Sequence, residues 1–419
     1  VGKREVIETI ARLRRDYSMT VILVEQDPEI LSTFCDRIAL LHEGRIDLVA
    51  EPSAFYAERT VLEQSGASVS ELARISWQTG CTYEGRPPLT LEEAKIAFAP
   101  AASSTHLVGS SPLRGPVGEN GIISQYGPPQ GGRPYESLAE RETVVKAEHV
   151  RYQYADGTMA LKEVDLTLYR GEMLALLGPN GSGKTTFAKI LAGIYRPGGG
   201  NVEVLGQNLA SRQVRRYLPR SVGYVFQNPD HQLFCRKVKD EIEYGLKNLG
   251  ITAARRREVV QATLEAVDLL DYADEDPLFL SKGQRQRLAV AATLAMGPDV
   301  LIVDEPTTGQ DYRSVTAMMK LLCNLQQQGK TILIITHDMS LVAHYCQRVI
   351  AFRDGAPIFT GTPTELFDDQ QILQKTGLCA PSSAVLSACM RDRYPDFPPL
   401  ITVDQWVNAI QSCSAGRTR

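Results

Sequence analysis

The sequence predicts an α/β fold, on three observations. A glycine-rich phosphate-loop pattern stands between an apolar strand and a helical run. A second apolar strand further on ends in two adjacent carboxylates. A segment that reads strand, turn, helix, strand occurs twice, at a constant offset of 311 residues. With 419 residues, and roughly 150 residues per domain, the chain has room for two or three domains. Hydrophobic residues at 43% against 22% charged can build real cores. The formal net charge of −4 argues against a bulk nucleic-acid binder, whose footprint is basic. Apolar runs such as Ile332–Ile335 fall far short of a membrane helix of roughly 20 residues, and no signal segment is visible at the N-terminus. The eight cysteines are scattered without a C-x-x-C pair, which favours reduced thiols over disulfides or zinc.

In chain order, the repeat comes first. Thr20–Gly44 and Thr331–Gly355 align without gaps, matching Asp27 with Asp338, Cys35 with Cys346, Arg37 with Arg348 and Gly44 with Gly355. Each copy predicts a buried β-branched strand, a polar turn, a helix, and a second strand ending at the glycine. Downstream, Pro88–Glu93 echoes Pro399–Gln405. Thr90 and Thr402 stand three residues before Glu93 and Gln405, a capping-box start for a helix in each copy. The chain therefore carries two homologous units, with Val1 corresponding to Tyr312 and the front of the first unit missing. Residues 1–98 are expected to be the back half of a first unit, 99–142 a linker, 143–370 a complete unit, and 371–419 a C-terminal helical extension. Pro112, Pro116, Pro128, Pro129 and Gly131-Gly132 give the linker its loose composition. A start at Val1, without methionine and inside a helix-period stretch, is expected to mark a truncation.

Gly178-Pro179-Asn180-Gly181-Ser182-Gly183-Lys184-Thr185 fits G-x-x-x-x-G-K-[ST] in full. Met173–Leu177 precedes it as a strand, and Thr186–Leu191 follows as a helix. Glycines let the backbone wrap phosphates, and the helix N-terminus faces them with its dipole. Lys184 would reach the terminal phosphates, and the Thr185 hydroxyl would ligate magnesium. Leu301-Ile302-Val303-Asp304-Glu305-Pro306 is a buried strand ending in paired acids. Asp304 suits a magnesium-associated role, and Glu305 suits a general base or water positioner.

Between these elements lies Leu280-Ser281-Lys282-Gly283-Gln284, which leads into an Ala- and Leu-rich helix. The order of phosphate loop, LS-x-GQ string, paired carboxylates and a later histidine resembles the ATPase subunit of an ATP-binding cassette (ABC) transporter. That resemblance implies a P-loop NTPase with a RecA-like core, an antiparallel β subdomain and a helical signature subdomain, here preceded by a partial second copy. It implies that Ser281, Gly283 and Gln284 act in trans on a nucleotide held by a partner's loop. Lys282 stands where glycine is usual. Gln227 resembles the Q-loop glutamine that contacts magnesium and relays to the membrane partner. His337 resembles the switch histidine, and Asp311 the D-loop aspartate of the dimer seam. Tyr154 resembles the aromatic that stacks on adenine. ATP and Mg²⁺ are the cofactors implied, with Thr186 at the start of the nucleotide-facing helix.

Asn228-Pro229-Asp230-His231-Gln232-Leu233-Phe234, the Gly309-Gln310-Asp311 turn and the C-terminal tail are similar to energy-coupling factor importers of vitamins and of cobalt or nickel. The partners implied are a transmembrane subunit, a substrate-binding membrane component, and a second ABC ATPase domain in cis or in trans. No nucleic acid is expected, and the location implied is the cytoplasmic face of the membrane. Gln26 takes the place of the switch histidine in the first copy, and a glutamine cannot reproduce imidazole chemistry near neutral pH, so if the missing front carries a phosphate loop that site is expected to hydrolyse weakly. Ribosome-acting cassette proteins are an alternative class. Their linkers are basic, whereas residues 56–141 here hold nine acidic and seven basic residues. A nucleotide-dependent regulatory module is a further alternative.

Overall fold

The computed structural model describes residues 2–102 and 141–416, so nearly all of the expected linker lies outside the described residues. The first stretch runs α1 (Gly2–Tyr17), α2 (Pro28–Phe34), β1 (Ile38–His42), β2 (Arg45–Ala50), α3 (Pro52–Phe55), α4 (Arg59–Ser65), α5 (Glu71–Thr79) and α6 (Leu91–Ala102). From Thr143 the order is β3 (Thr143–Gln153), β4 (Met159–Tyr169), β5 (Met173–Leu177), α7 (Lys184–Leu191), β6 (Gly199–Val204), β7 (Gln207–Asn208), α8 (Arg212–Tyr217), β8 (Val222–Val225), α9 (Val238–Asn248) and α10 (Ala253–Ala266). Then come α11 (Lys282–Leu294), β9 (Val300–Asp304), α12 (Tyr312–Gln327), β10 (Thr331–Ile335), α13 (Met339–Tyr345), β11 (Arg348–Arg353), β12 (Ala356–Gly361), α14 (Pro363–Asp368), α15 (Gln370–Thr376), α16 (Ser382–Arg393) and α17 (Val403–Gly416).

Six strands form one sheet in the order β12-β11-β5-β10-β9-β8. All neighbours from β11 to β8 pair parallel, and β12 closes the edge antiparallel to β11. Every residue of β5, β8, β9 and β10 is buried. These strands therefore read as continuous apolar runs, as expected where both faces of a parallel sheet are covered. A four-stranded antiparallel sheet, β4-β3-β6-β7, shares a core with the six-stranded one through Val145, Leu161, Leu168, Phe187, Ile302 and Phe352. A separate helical cluster packs Ile242, Leu264 and Leu288 from α9, α10 and α11 with Leu280 from the turn ahead of α11.

The repeat persists in three dimensions. Asp27 and Asp338 both cap a helix by accepting backbone N–H groups, from Glu29 at 3.0 Å and from Leu341 at 3.1 Å. The hairpins β1–β2 and β11–β12 carry a bulge at matching positions, Leu40/Leu41 and Ala351/Phe352. Both turn through two left-handed residues, Glu43-Gly44 at φ +48° and +77° and Asp354-Gly355 at +50° and +82°, the two-residue geometry that suits a twisted hairpin. The capping threonines also match: Glu93 N–H donates to Thr90 Oγ1 and Gln405 N–H to Thr402 Oγ1, each at 3.3 Å.

One expectation fails. The first-copy strand from Thr20 does not form: the chain between α1 and α2 takes no regular structure, and Ile22 and Val24 are 91% and 95% exposed. Its counterpart β10 is held between β5 and β9. Among the described residues no strand pairs with residues 20–26. A β-run is stable only with partners for its backbone groups.

The described residues divide into two compact units. One gathers the N-terminal stretch with Phe367–Leu373 and the segment from Gly377 onward. The other holds the segment from β3 up to Leu366, with Gln374–Thr376. The change of unit at Leu366–Phe367 lies within α14, whereas position 370, the expected end of the complete unit, is the first residue of α15. In the first unit, the two homologous helix pairs pack on each other in a swapped arrangement, α5 on α17 and α6 on α16. Leu72, Ile75 and Phe98 meet Leu386, Met390 and Trp406 in one core. Trp406 Nε1 donates to Ser383 O at 3.0 Å, and the buried Glu71 carboxylate accepts from Ser383 N at 2.8 Å. Phe98 is fully buried, with its ring 6.0 Å from that of Trp406. Phe98→Ala is expected to cost about 3–5 kcal/mol, read as a lower denaturant midpoint for the first unit. A loss below about 1 kcal/mol would mean that this core is not packed as described.

Candidate functional site

Parallel pairing places the ends of four neighbouring strands together. In the register Leu176 faces Ile335, Ile335 faces Asp304, and Val225 faces Val303. The loops that follow β5, β10, β9 and β8 therefore leave from one edge of the sheet, where ligands of open α/β sheets bind. Those loops carry Gly178–Gly183, His337, Glu305 and Gln227, and Asp304 ends β9.

The phosphate-loop pattern forms a tight turn from β5 into α7. Gly178, Gly181 and Gly183 take φ values of +133°, +78° and +100°. A Cβ on Gly183 would come 2.6 Å from Ala160 O, and one on Gly178 would strike Phe352 O. Gly183 is the N-cap of α7 and offers no capping side chain, so the first backbone N–H groups of the helix are open to an anion. Pro179, Asn180 and Gly181 are exposed at the loop crest, while Ser182 is buried beneath it. Lys184 Nζ donates to Gly178 O at 2.6 Å and to Pro179 O at 2.8 Å. Burial lowers the Lys184 pKa, opposed by the nearby Glu305 and Asp304 carboxylates.

Asp304 is 3% exposed. Its Oδ2 accepts from the Tyr224 hydroxyl at 2.8 Å, and its Oδ1 is buried and accepts no hydrogen bond. Burial raises the Asp304 pKa, while the Tyr224 and Thr185 hydroxyls favour the anion. Glu305 is 5% exposed and sits at φ +50°, a left-handed conformation costly for a residue with a side chain. Its N–H donates to Ile335 O at 2.8 Å, which pins the residue to the end of β10. Thr308 Oγ1 donates to Glu305 Oε2 at 3.2 Å. His337 Nε2 lies 3.0 Å from Glu305 Oε1, but off the hydrogen-bond line, so Oε1 stays without an aligned donor.

The other sequence-predicted residues form two further groups. The Tyr154 hydroxyl bonds Thr186 Oγ1 at 2.6 Å, and its ring stands edge-on to Tyr152 at 5.2 Å. Tyr152 in turn stacks on Tyr195 at 5.3 Å. Ser281 caps α11 and forms a reciprocal capping box with Gln284, with bonds of 3.2 and 2.8 Å. Gly283 packs where a Cβ would meet Ser314 Oγ at 2.7 Å, and Gly309 where one would meet Lys282 Nζ at 2.8 Å. The signature residues thus face the turn that carries Asp311, whose carboxylate caps α12 by accepting from Ser314 N at 2.8 Å. Gln227 is exposed just past β8. Its loop is tied to the signature helix by Gln286 Nε2 donating to Phe226 O at 3.2 Å. Gln26 lies in the irregular stretch, its N–H bonded to Glu25 Oε1 at 2.7 Å.

Sequence reasoning did not single out Tyr224 or Thr308. Tyr224 lies three residues before Gln227, and its link to Asp304 exists only through strand pairing.

The donor set at the strand ends suits a hard divalent cation: a hydroxyl at Thr185 and a carboxylate with an unsatisfied oxygen at Asp304. Among the described residues no three His, Cys, Asp or Glu side chains gather to hold a metal, so a cation here would draw part of its shell from phosphate oxygens. No helix among the described residues is long and apolar enough to cross a membrane.

Residues 161–308 match the ABC transporter family. A putative ABC transporter ATP-binding protein of Methanosarcina mazei is 34% identical over 406 residues, covering 96% of this chain and 66% of that protein. This chain therefore spans about two thirds of that relative's length. The energy-coupling factor transporter ATP-binding protein EcfA of Methanosphaera stadtmanae is 39% identical over 240 residues, 57% of this chain and 86% of that protein. Among solved structures, cbiO1 of Clostridium perfringens, part of the ABC transporter complex cbiONQ, aligns with a TM-score of 0.51 at 37% identity. The alignment covers 56% of this chain and 94% of that one.

Gly183→Ala combines a left-handed backbone with a 2.6 Å approach to Ala160 O. The variant is expected to lose about 1–3 kcal/mol of stability together with its nucleotide-dependent rise in Tm. A variant that melts and binds nucleotide like the parent would contradict the loop geometry.

Proposed function

This chain belongs to the ABC transporter ATP-binding family, and from that membership we propose that it is the ATP-hydrolysing subunit of an importer of energy-coupling factor type. It would act at the cytoplasmic face of a membrane with separate membrane subunits that select and pass a vitamin or a transition-metal ion. The observation that carries the reading is the convergence of Lys184, Asp304, Glu305 and His337 at one edge of the parallel sheet. The name of the EcfA relative at 39% identity supports the energy-coupling factor assignment.

In this reading the phosphate loop and the N-terminus of α7 hold the triphosphate, Lys184 exchanges its carbonyl partners for phosphate oxygens, and Tyr154 supports the base. Thr185, Gln227 and Asp304 would hold magnesium, which would supply charge neutralisation for the transferring phosphoryl group. Glu305 accepts the proton of the attacking water as its oxygen bonds to the γ-phosphorus. The bond to the β–γ bridging oxygen breaks, and ADP and phosphate leave. Glu305 is prepared for this task, being buried and fixed by its backbone with one oxygen lacking an aligned donor. His337 orients water and the γ-phosphate beside it. Ser281, Gly283 and Gln284 close over the nucleotide of a second cassette, while Asp311 lies at the seam. Residues 1–98 are read as the back half of such a cassette, 99–142 as the linker, 143–370 as the complete cassette, and 371–419 as its helical extension.

Lys184→Ala is expected to weaken ATP binding at least tenfold by calorimetric titration. Glu305→Gln should keep ATP binding within about twofold while turnover falls by about 10²–10⁴, the usual contribution of a general base. Wild-type hydrolysis by Glu305→Gln would overturn the base assignment. The transport reading is tested by affinity capture of the tagged protein from detergent-solubilised membranes. Recovery of integral membrane subunits supports it, and recovery of ribosomal RNA instead would move the protein to the ribosome-acting class.

A further inference from the structure

We propose that Tyr224 is a positioning residue for the metal-binding carboxylate. Its hydroxyl fixes the Asp304 side chain so that Oδ1 is free for a divalent cation. The inference rests on the reading of this edge as a magnesium–nucleotide site, and adds to it a residue in the second layer.

Tyr224 is the third residue of β8, and Asp304 the last of β9. These strands pair parallel, with Tyr224 in register with Ile302, so the tyrosine side chain reaches along the sheet to the strand end. Tyr224 and Asp304 are 9% and 3% exposed, and the Tyr224 Oη to Asp304 Oδ2 bond is 2.8 Å long. A phenol O–H in this position can only donate to a carboxylate, which accepts and does not donate while ionised. The bond therefore stops rotation of the carboxylate and assigns its two oxygens different tasks. Oδ2 is committed to the protein, and Oδ1 is left buried without an aligned hydrogen bond. An unsatisfied buried carboxylate oxygen is costly, and a cation beside it removes the cost. The Tyr224 ring is itself wedged edge-on against Phe226 at 4.9 Å, which fixes where the hydroxyl sits. Partners that orient metal ligands typically change metal affinity about 10–100-fold when removed.

Tyr224→Phe deletes the hydroxyl and keeps the ring. ATP affinity is measured by calorimetric titration in excess EDTA and across a Mg²⁺ series, in the full chain carrying Glu305→Gln to prevent turnover. The expected result is an unchanged Kd in EDTA and a midpoint for Mg²⁺-enhanced binding shifted up by about tenfold. Manganese, which tolerates a looser shell, should restore part of the gain. An unshifted Mg²⁺ midpoint would overturn the proposal, and so would an equal loss of affinity with and without Mg²⁺, the signature of a merely structural role. Asp304→Asn in the same assay separates the two levels of the argument. If it abolishes the Mg²⁺ enhancement while Tyr224→Phe does not, only the positioning role fails. If Asp304→Asn leaves the enhancement intact, the metal-site reading itself is wrong.

Discussion

The parallel register of β8, β9, β10 and β5 is the constraint on which the site depends. No two of Lys184, Asp304, His337 and Gln227 are close in sequence, and only strand pairing makes them neighbours. The register is itself fixed by burial. With both faces of the sheet covered by helices and by the antiparallel sheet, slippage of β9 by one residue would turn the side chains of its end over and move Asp304 away from Tyr224. The pairing of Ile335 with Asp304 also anchors Glu305, whose N–H donates to the last carbonyl of β10. That bond holds a left-handed glutamate in place, so strain at Glu305 is supported by the sheet that creates the site.

The repeat shows the same dependence from the opposite side. Where a copied segment carries its own partners, the copies agree to fine detail: the aspartate caps, the hairpin bulges and the left-handed turn residues coincide at an offset of 311. Where it needs partners from outside, the copies part. The run at Thr331–Ile335 is the middle of a sheet, whereas its homologue near Val21 and Ile22 has no strand beside it among the described residues and lies open. Local sequence thus suffices for caps and hairpins, and nonlocal pairing decides whether an apolar run becomes a strand. The helix pairs α5–α6 and α16–α17 make the complementary point. Each is too short to bury its apolar face alone, and the core around Phe98 and Trp406 arises from packing one copy against the other.

What could be read from the sequence follows this division. The phosphate loop, its flanking strand and helix, the paired acids and the histidine after a buried strand are local patterns, and each stands where its neighbours in sequence put it. The LS-x-GQ string contains a capping box, which is why Ser281 and Gln284 form one. Three things were hidden. Tyr224 serves Asp304 across 80 residues of chain, a relation that no spacing rule carries. The failure near Val21 could not be foreseen from periodicity, because a β-branched run has the same pattern whether or not its partners exist. The carboxylate-facing role of Thr308 depends on the local twist that the left-handed Glu305 imposes, which the string Asp304–Thr308 does not disclose.

The central claim is that the strand ends form one magnesium–nucleotide site whose metal faces Thr185 and Asp304. The most direct measurement is a crystal structure of the full chain with manganese and a non-hydrolysable ATP analogue, with the metal located by its anomalous scattering. The account predicts a peak beside Thr185 Oγ1, with Asp304 Oδ1 turned toward it directly or through one water and Tyr224 still on Oδ2. A manganese peak elsewhere, or an Asp304 Oδ1 left buried and unengaged with the nucleotide bound, would contradict it.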